Sequence, residues 1–364
     1  MTRRSITFEP EGRPIVRPWA VALGLFGLLA CGGGHHAAPP PVDDVYVAGY
    51  ESTGVDAGGG IPNVAKVWTN GVSRDLTSGG PAGGVATAVA VSGSDLYVAG
   101  QDGAVVTFWK NGAPVALTDG TQHGWVNAIC VSGGDVYLGG GEGNLVKYWK
   151  NGVPVTLTDG TAGGTVWGIA VAGKDVYAVG FVYGYTPIGP NSYIIAPVAT
   201  YWKNGTPVAL SDGLHTAVLT AVTVSGGDVY MAGFEAGEEV DGSAPYLVKV
   251  WKNGIPVTLT PTTKGAVAKA IAVVGSDVYV AGYENNGSVV IATYWKNGTP
   301  MRLANGPWES IATGIAVCGA DVYVCGAELN GAVWVAKTWK NGTPTALTNG
   351  AQHAQALDIA VVRR

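Results

Sequence analysis

Charge is scarce in this chain. Only 13% of its 364 residues are Asp, Glu, Lys or Arg, against 47% apolar residues. That balance excludes a self-repelling disordered polymer and leaves ample side chains for a large core. Strong helix formers are also few, and 57 Gly accompany prominent Val, Thr and Tyr, a mixture that favours many short strands joined by tight turns. No excess of Lys or Arg exists to hold a nucleic acid or an anionic membrane surface: the formal charge is −5. The apolar run Ala20–Ala30 is about eleven residues, too short to cross a bilayer as a helix, which takes roughly 20. No phosphate-binding loop, nucleophile–base pair or cofactor motif can be found, so neither a catalytic residue, a metal site nor a cofactor is expected. Cysteine is limited to four positions. Cys130 stands where other copies of a repeat have Ala and is read as a small buried filler. Cys318 and Cys325 fall on one hairpin about four rows apart, beyond the 4.4–6.8 Å Cα separation a disulfide needs, so no disulfide is expected.

The N-terminus reads as an address. Arg3, Arg4, Arg13 and Arg17 precede the apolar run, which ends in Leu28-Leu29-Ala30-Cys31-Gly32. A basic segment, a short apolar run and a small residue before a cut form a secretory signal. Removing residues 1–31 leaves 17 basic and 24 acidic residues, a mature charge near −7. Residues 32–43 are a Gly, Pro and His tether with nothing to pack, in which His35 and His36 read as tether rather than metal ligands.

From residue 44 onward one unit recurs: A-I-A-V-S-G-x-D-V-Y-V-A-G, a variable stretch, then Y-W-K-N-G-T-P-V-x-L-T-D-G. Its aromatic recurs at Tyr46, Tyr97, Tyr137, Tyr177, Tyr230, Tyr279 and Tyr323, and its Trp at Trp68, Trp109, Trp149, Trp202, Trp251, Trp295 and Trp339. Seven copies at this spacing predict an all-β fold: a seven-bladed β-propeller of four-stranded antiparallel blades over 44–362. In the shortest copy, Gly93 marks a type II′ turn and Asn111-Gly112 a type I′ turn. With Asp102-Gly103 as a third turn, strands A to D fall at about 86–92, 95–101, 104–110 and 113–118. That register sets Asp95 opposite Lys110, with the same pairing expected in five more copies. Pro114, Pro154, Pro207, Pro256, Pro300 and Pro344 lack an N–H donor, which places strand D at the outer edge. The first copy begins on strand B and Ala356–Val362 reads as a spare strand A, so the C-terminal strand should complete blade 1.

Leu-Leu-Ala-Cys resembles the lipobox of bacterial lipoproteins, which implies lipidation of Cys31; Gly32 after it implies the outer membrane, facing periplasm or exterior. The half-repeat DVYLGGGEG at 135–143 is distantly similar to a kelch blade. The units as a whole resemble the bacterial propeller lipoproteins built from YWKNG repeats, a functionally undefined group.

In a propeller, A–B and C–D turns share one end and B–C and D–A loops the other. Length variation falls in 50–63, 181–198, 234–247, 283–290 and 327–333, all at the B–C/D–A end, so that end is the candidate binding face. Glu51, Asp102, Glu142, Glu235, Glu284 and Glu328 follow strand B in six copies. They form either a cation-attracting carboxylate ring or residues that simply suit a turn apex. Glu238, Glu239 and Asp241 add acids that either hold Ca²⁺ or are solvated. Tyr183, Tyr185 and Tyr193 offer aromatic contacts or self-packing; Trp125, Trp167, Trp308 and Trp334 lie outside the repeat's own Trp position, and the first three either stack on sugars or fill the channel mouth. His123, His215 and His353 lie in separate D–A loops, too scattered for a ready Zn²⁺ site. Asp358 stands alone where other copies have Ala or Gly. The expected function is a monomeric, noncatalytic, lipid-anchored envelope scaffold binding an envelope protein or glycan, with membrane contact through the lipid alone. The alternatives are a carbohydrate-binding module and a channel-mouth hydrolase or lyase.

Overall fold

The computed structural model describes residues 42–54, 62–80, 82–189, 192–239, 244–260 and 265–364. Cys31, the tether's two histidines and Asp241 lie outside them. The described residues form seven four-stranded antiparallel sheets in chain order. Blade 2 shows the plan: strand A Gly84–Ser92, B Asp95–Asp102, C Val105–Lys110 and D Ala113–Ala116. Blade 1 takes strand A from the other end of the chain, Ala354–Arg363, and B, C and D from Asp43–Ser52, Asn63–Thr69 and Val72–Asp75. Strand B of blade 1 therefore begins one residue before the expected start, at Asp43.

The turns follow the sequence chemistry. The Asn-Gly turn of every blade has two positive φ angles, such as 53° at Asn111 and 83° at Gly112, the type I′ signature. The B–C turn of blade 2 differs from expectation by one row. Gly103-Ala104 is its centre, with Gly103 at φ 63°, because a II′ turn wants Gly first. Lys110 consequently faces Tyr97, not Asp95. The ion pair still forms along the diagonal, with Lys110 Nζ 2.8 Å from Asp95 and 5.3 Å from the Tyr97 ring centre. The same Asp accepts a bond from the Asn111 amide at 2.8 Å, so the turn, the ion pair and the aromatic form one unit. Lys110 and then Asn111 hold the Asp95 carboxyl below its ordinary pKa, and equivalent pairs recur in blades 3 to 7.

The core lies between blades. Among the described residues there are seven apolar clusters, and in each the repeated Trp of one blade packs on residues of the blade before it. Trp295 of blade 6, for example, meets Tyr230, Val248 and Val250 of blade 5. All seven Trp are under 2% exposed, and the indole N–H groups of Trp68 and Trp339 have no partner. Their task is therefore area, on the order of 150–250 Å² each, and they cannot touch a ligand. Trp68 of blade 1 packs with Tyr323, Cys325 and Ala336 of blade 7, which closes the ring. Asp43 seals the closure: it accepts bonds from Arg363 Nε at 2.9 Å and Tyr323 Oη at 2.8 Å, which hold its carboxyl far below the ordinary range. Cys130, Cys318 and Cys325 are free thiols.

Each strand A carries a β-bulge at the same place, as between Ala86 and Ala88. Opposite it stands the Gly of the V-A-G triplet. A Cβ there would lie 1.9–2.1 Å from a strand A carbonyl oxygen in all seven blades, for instance Val267 O above Gly282. The bulge thus demands Gly in strand B and turns one extra side chain toward the axis.

Candidate functional site

The carboxylates of the loop end are neutralised from within. Glu51 pairs with Lys66 at 3.3 Å, Glu142 with Lys147 at 2.6 Å, Glu328 with Lys337 at 2.6 Å and Glu235 with Lys249. Glu284 takes Arg302 of strand D of its own blade at 2.7 Å and is buried. Asp102 is exposed and has no such partner, and the matching place on strand C is Thr107 rather than Lys. Glu and Lys thus appear together within blades, the mark of cross-strand pairs. Glu238 and Glu239 are exposed, and among the described residues no group of three or more His, Cys, Asp or Glu is placed to hold a metal ion. His123 and His215 are exposed, whereas His353 Nδ1 accepts the backbone N–H of Trp334 at 3.2 Å.

The expected loop 181–198 is a ribbon instead. Strand B of blade 4 runs Asp175–Gly189 and strand C Ser192–Lys203, paired through Tyr183↔Pro197, Tyr185↔Ile195 and Pro187↔Tyr193. Its Pro and Gly suggest a loop, but the Tyr, Ile and Val between them alternate at period two, and cross-strand aromatic and β-branched pairs favour a ladder. One face packs inward, with Ala196 buried and Thr186 Oγ1 donating to Gly213 O at 3.1 Å. The other presents Tyr183, Tyr185, Tyr193 and Ile195, between 42 and 60% exposed. The Tyr185 and Tyr193 rings sit 6.0 Å apart, and Tyr183 meets Phe181 edge-on at 5.3 Å.

The three Trp part company. Trp125 lies near the start of strand A of blade 3, half-buried, its indole N–H donating to Thr165 Oγ1 of blade 4 at 2.7 Å, so it works between blades. Trp308 is 46% exposed in the loop between blades 6 and 7, above Gly331. Trp167 is the bulge residue of blade 4, 41% exposed to the central channel.

The bulge ring that lines that channel is the feature sequence reasoning passed over. All seven bulge residues line one cavity of about 570 Å³: Thr87, Asn127, Trp167, Thr220, Lys269, Thr313 and Leu357. Its other lining residues belong mainly to the first six positions of each strand A, so it occupies the half of the channel nearest the D–A loops. Thr87, Asn127 and Thr313 each donate at 2.8 Å to a carbonyl of the next blade (Val126, Val166 and Ala356) and bolt the ring from inside. Asp358 stands beside the bulge of the closing strand. Its carboxylate accepts the Val89 N–H of blade 2 and the Ile359 N–H, both at 2.9 Å, while the surrounding walls push its pKa up to about 6. Lys269 projects into the cavity, and desolvation lowers its pKa.

Seven blades, an inner bulge ring and a C-terminal strand hydrogen-bonded into the first sheet define a closed β-propeller, with its irregular surfaces gathered at one end. Neither a protein-family model nor a curated protein matches the chain. Among solved structures it is similar to the β-propeller domain of the Trilobed protease from Pyrococcus furiosus, with a TM-score of 0.54 at 11% identity over 84% of this chain and 93% of that one. It is also similar to Pyrococcus horikoshii acylaminoacyl peptidase, with a TM-score of 0.51 at 12% identity over 84% of this chain and 51% of that one. At such identity the likeness concerns the fold alone.

Proposed function

We propose that this protein is a noncatalytic binding scaffold, anchored in the cell envelope through lipid on Cys31, that docks a partner protein on the aromatic face of the blade 4 ribbon. The observation that carries this reading is the contrast between the two ribbon faces. One is packed on the body, while the other sets Tyr183, Tyr185, Tyr193 and Ile195 in water. A two-stranded ribbon with an exposed apolar face is poorly stable by itself, and rigid Tyr side chains make contact area at low entropic cost. The pairing of five loop-end glutamates within their own blades supports a binding rather than an acid–base role. A glycan reading draws on Trp308, the exposed indole of the same end.

A photo-crosslinker at Leu214, exposed beside the ribbon contact at Gly213 and outside the trimmed segment, tests the proposal in cells. The wild-type frame should give one discrete crosslinked protein, lost when residues 183–197 are replaced by a two-residue turn, and Cys31→Ser should release the protein from the membrane fraction. A crosslink pattern unchanged by the trimming, or glycan capture abolished by Trp308→Ala, would move the site off the ribbon.

A further inference from the structure

The central channel holds an ammonium group with nothing to neutralise it. Among the described residues no carboxylate oxygen lies within 4.0 Å of Lys269 Nζ and no hydrogen bond is formed by it, although Asp358 borders the same cavity. The other polar groups of the ring are occupied. Thr87, Asn127 and Thr313 are bound to carbonyls of neighbouring blades, and both Asp358 oxygens accept backbone N–H groups. Ile129, Ile169, Ile271 and Ile315 line the same cavity. Lys269 is exposed to the channel solvent, and a ligand that displaces that water would meet an unpaired positive charge whose attraction strengthens as water leaves.

Three features define what would fit. The volume, about 570 Å³, lies inside the range of small-molecule sites. Trp167 supplies a flat, accessible indole inside the cavity. A single cation near a fixed carboxylate favours one negative charge and disfavours a polyanion such as a nucleotide phosphate chain. Every other blade carries an uncharged residue at the Lys269 position, so the charge is no requirement of the ring itself.

We infer that the loop-end half of the channel is a binding site for a small organic monocarboxylate with a flat apolar body, the carboxylate on Lys269 and the body against Trp167. The site is independent of the ribbon.

Calorimetric titration of the full chain at neutral pH tests this with three probes: indole-3-acetate, its neutral counterpart indole-3-acetamide, and octanoate. Indole-3-acetate should bind saturably, and the amide at least about ten-fold more weakly, the loss of one charge-assisted bond. Lys269→Met should lose indole-3-acetate by about the same factor. Trp167→Ala should weaken indole-3-acetate more than octanoate. Lys269→Gln repeats the test with a polar side chain should the Met variant not fold. Absence of saturable binding by any probe up to roughly 10 mM, or binding by the folded Lys269 variants equal to that of the wild type, would overturn the assignment.

Discussion

The two ends of this propeller are built from the same strands and treat polar groups in opposite ways. At the tight-turn end, Asp, Lys, Asn and Tyr close on one another in blades 2 to 7, as Asp277, Lys296, Asn297 and Tyr279 do in blade 6. Six blades repeat the Asp–Lys pair. At the loop end five glutamates are paired, yet an aromatic ribbon face and the Lys269 ammonium remain unmatched. A frame satisfied at one end can carry unsatisfied chemistry at the other, because the inter-blade Trp clusters that hold it lie between the two.

The largest effect should come from the shared frame. Trp295→Ala removes the centre of one inter-blade cluster and is expected to cost about 3–5 kcal/mol, whereas trimming 183–197 should leave the thermal midpoint close to wild type. Calorimetry of both variants checks this; equal losses would show the ribbon to be part of the frame.

Next comes a contrast between two kinds of aspartate. The folded pKa of Asp358 is raised to about 6 from 3.8, so the folded state keeps a proton that the unfolded chain has lost. Its stabilising effect is full below pH 4 and fades as pH rises through 6, by at most ~3 kcal/mol since the carboxylate borders channel solvent. Asp358→Asn should flatten stability over that interval when denaturant midpoints are followed against pH; an unchanged slope would sink the assignment. The turn aspartates act with the opposite sign. Their folded pKa values are lowered, so their contribution is present above the ordinary carboxylate value and is lost as pH falls through the folded one.

The smallest effect tests one such aspartate. Lys296→Met should return the Asp277 carboxyl toward its ordinary pKa, read by carbon-13 NMR, with little change in thermal midpoint. Exposed ion pairs contribute little singly, and Asn297 still holds the carboxyl. A titration of Asp277 identical to wild type would show that the lysine is bystander rather than partner.

Most of the frame was legible because its signals are local. Asn-Gly dictates a turn at Asn111, a buried Trp returns once per blade, and Pro114 marks an edge. The one-row slip at blade 2 arose because Asp102-Gly103-Ala104 contains two possible turn centres, and only the backbone shows Gly103 to be the first. The ribbon was hidden by Pro and Gly that sit inside a ladder. The bulge ring of the channel was missed for a different reason: a bulge is an event in the backbone, and its residue shows no periodicity of its own. A signal was nevertheless present. Ten residues before the repeated Tyr stand Thr87, Asn127, Trp167, Thr220, Lys269 and Thr313, a variable column inside an otherwise uniform strand. The Glu–Lys pairs were equally readable from residues that change together between blades, as Glu142 with Lys147 and Val182 with Thr200.

Closure of blade 1 by its distant strand has a consequence for biosynthesis. Asp43 and Arg363, which bond at the seam, are 320 residues apart. Until residues 354–363 have left the ribosome, one edge of Asp43–Ser52 has no strand to pair with, and the Trp68 cluster that joins blade 7 to blade 1 lacks Ala354, Ala356 and Ile359. Six blades can stack as they are made, but the ring becomes a ring only once residues 354–363 have been added. Any arrest of translation short of that strand leaves a long chain with an open, sticky edge for quality control to find.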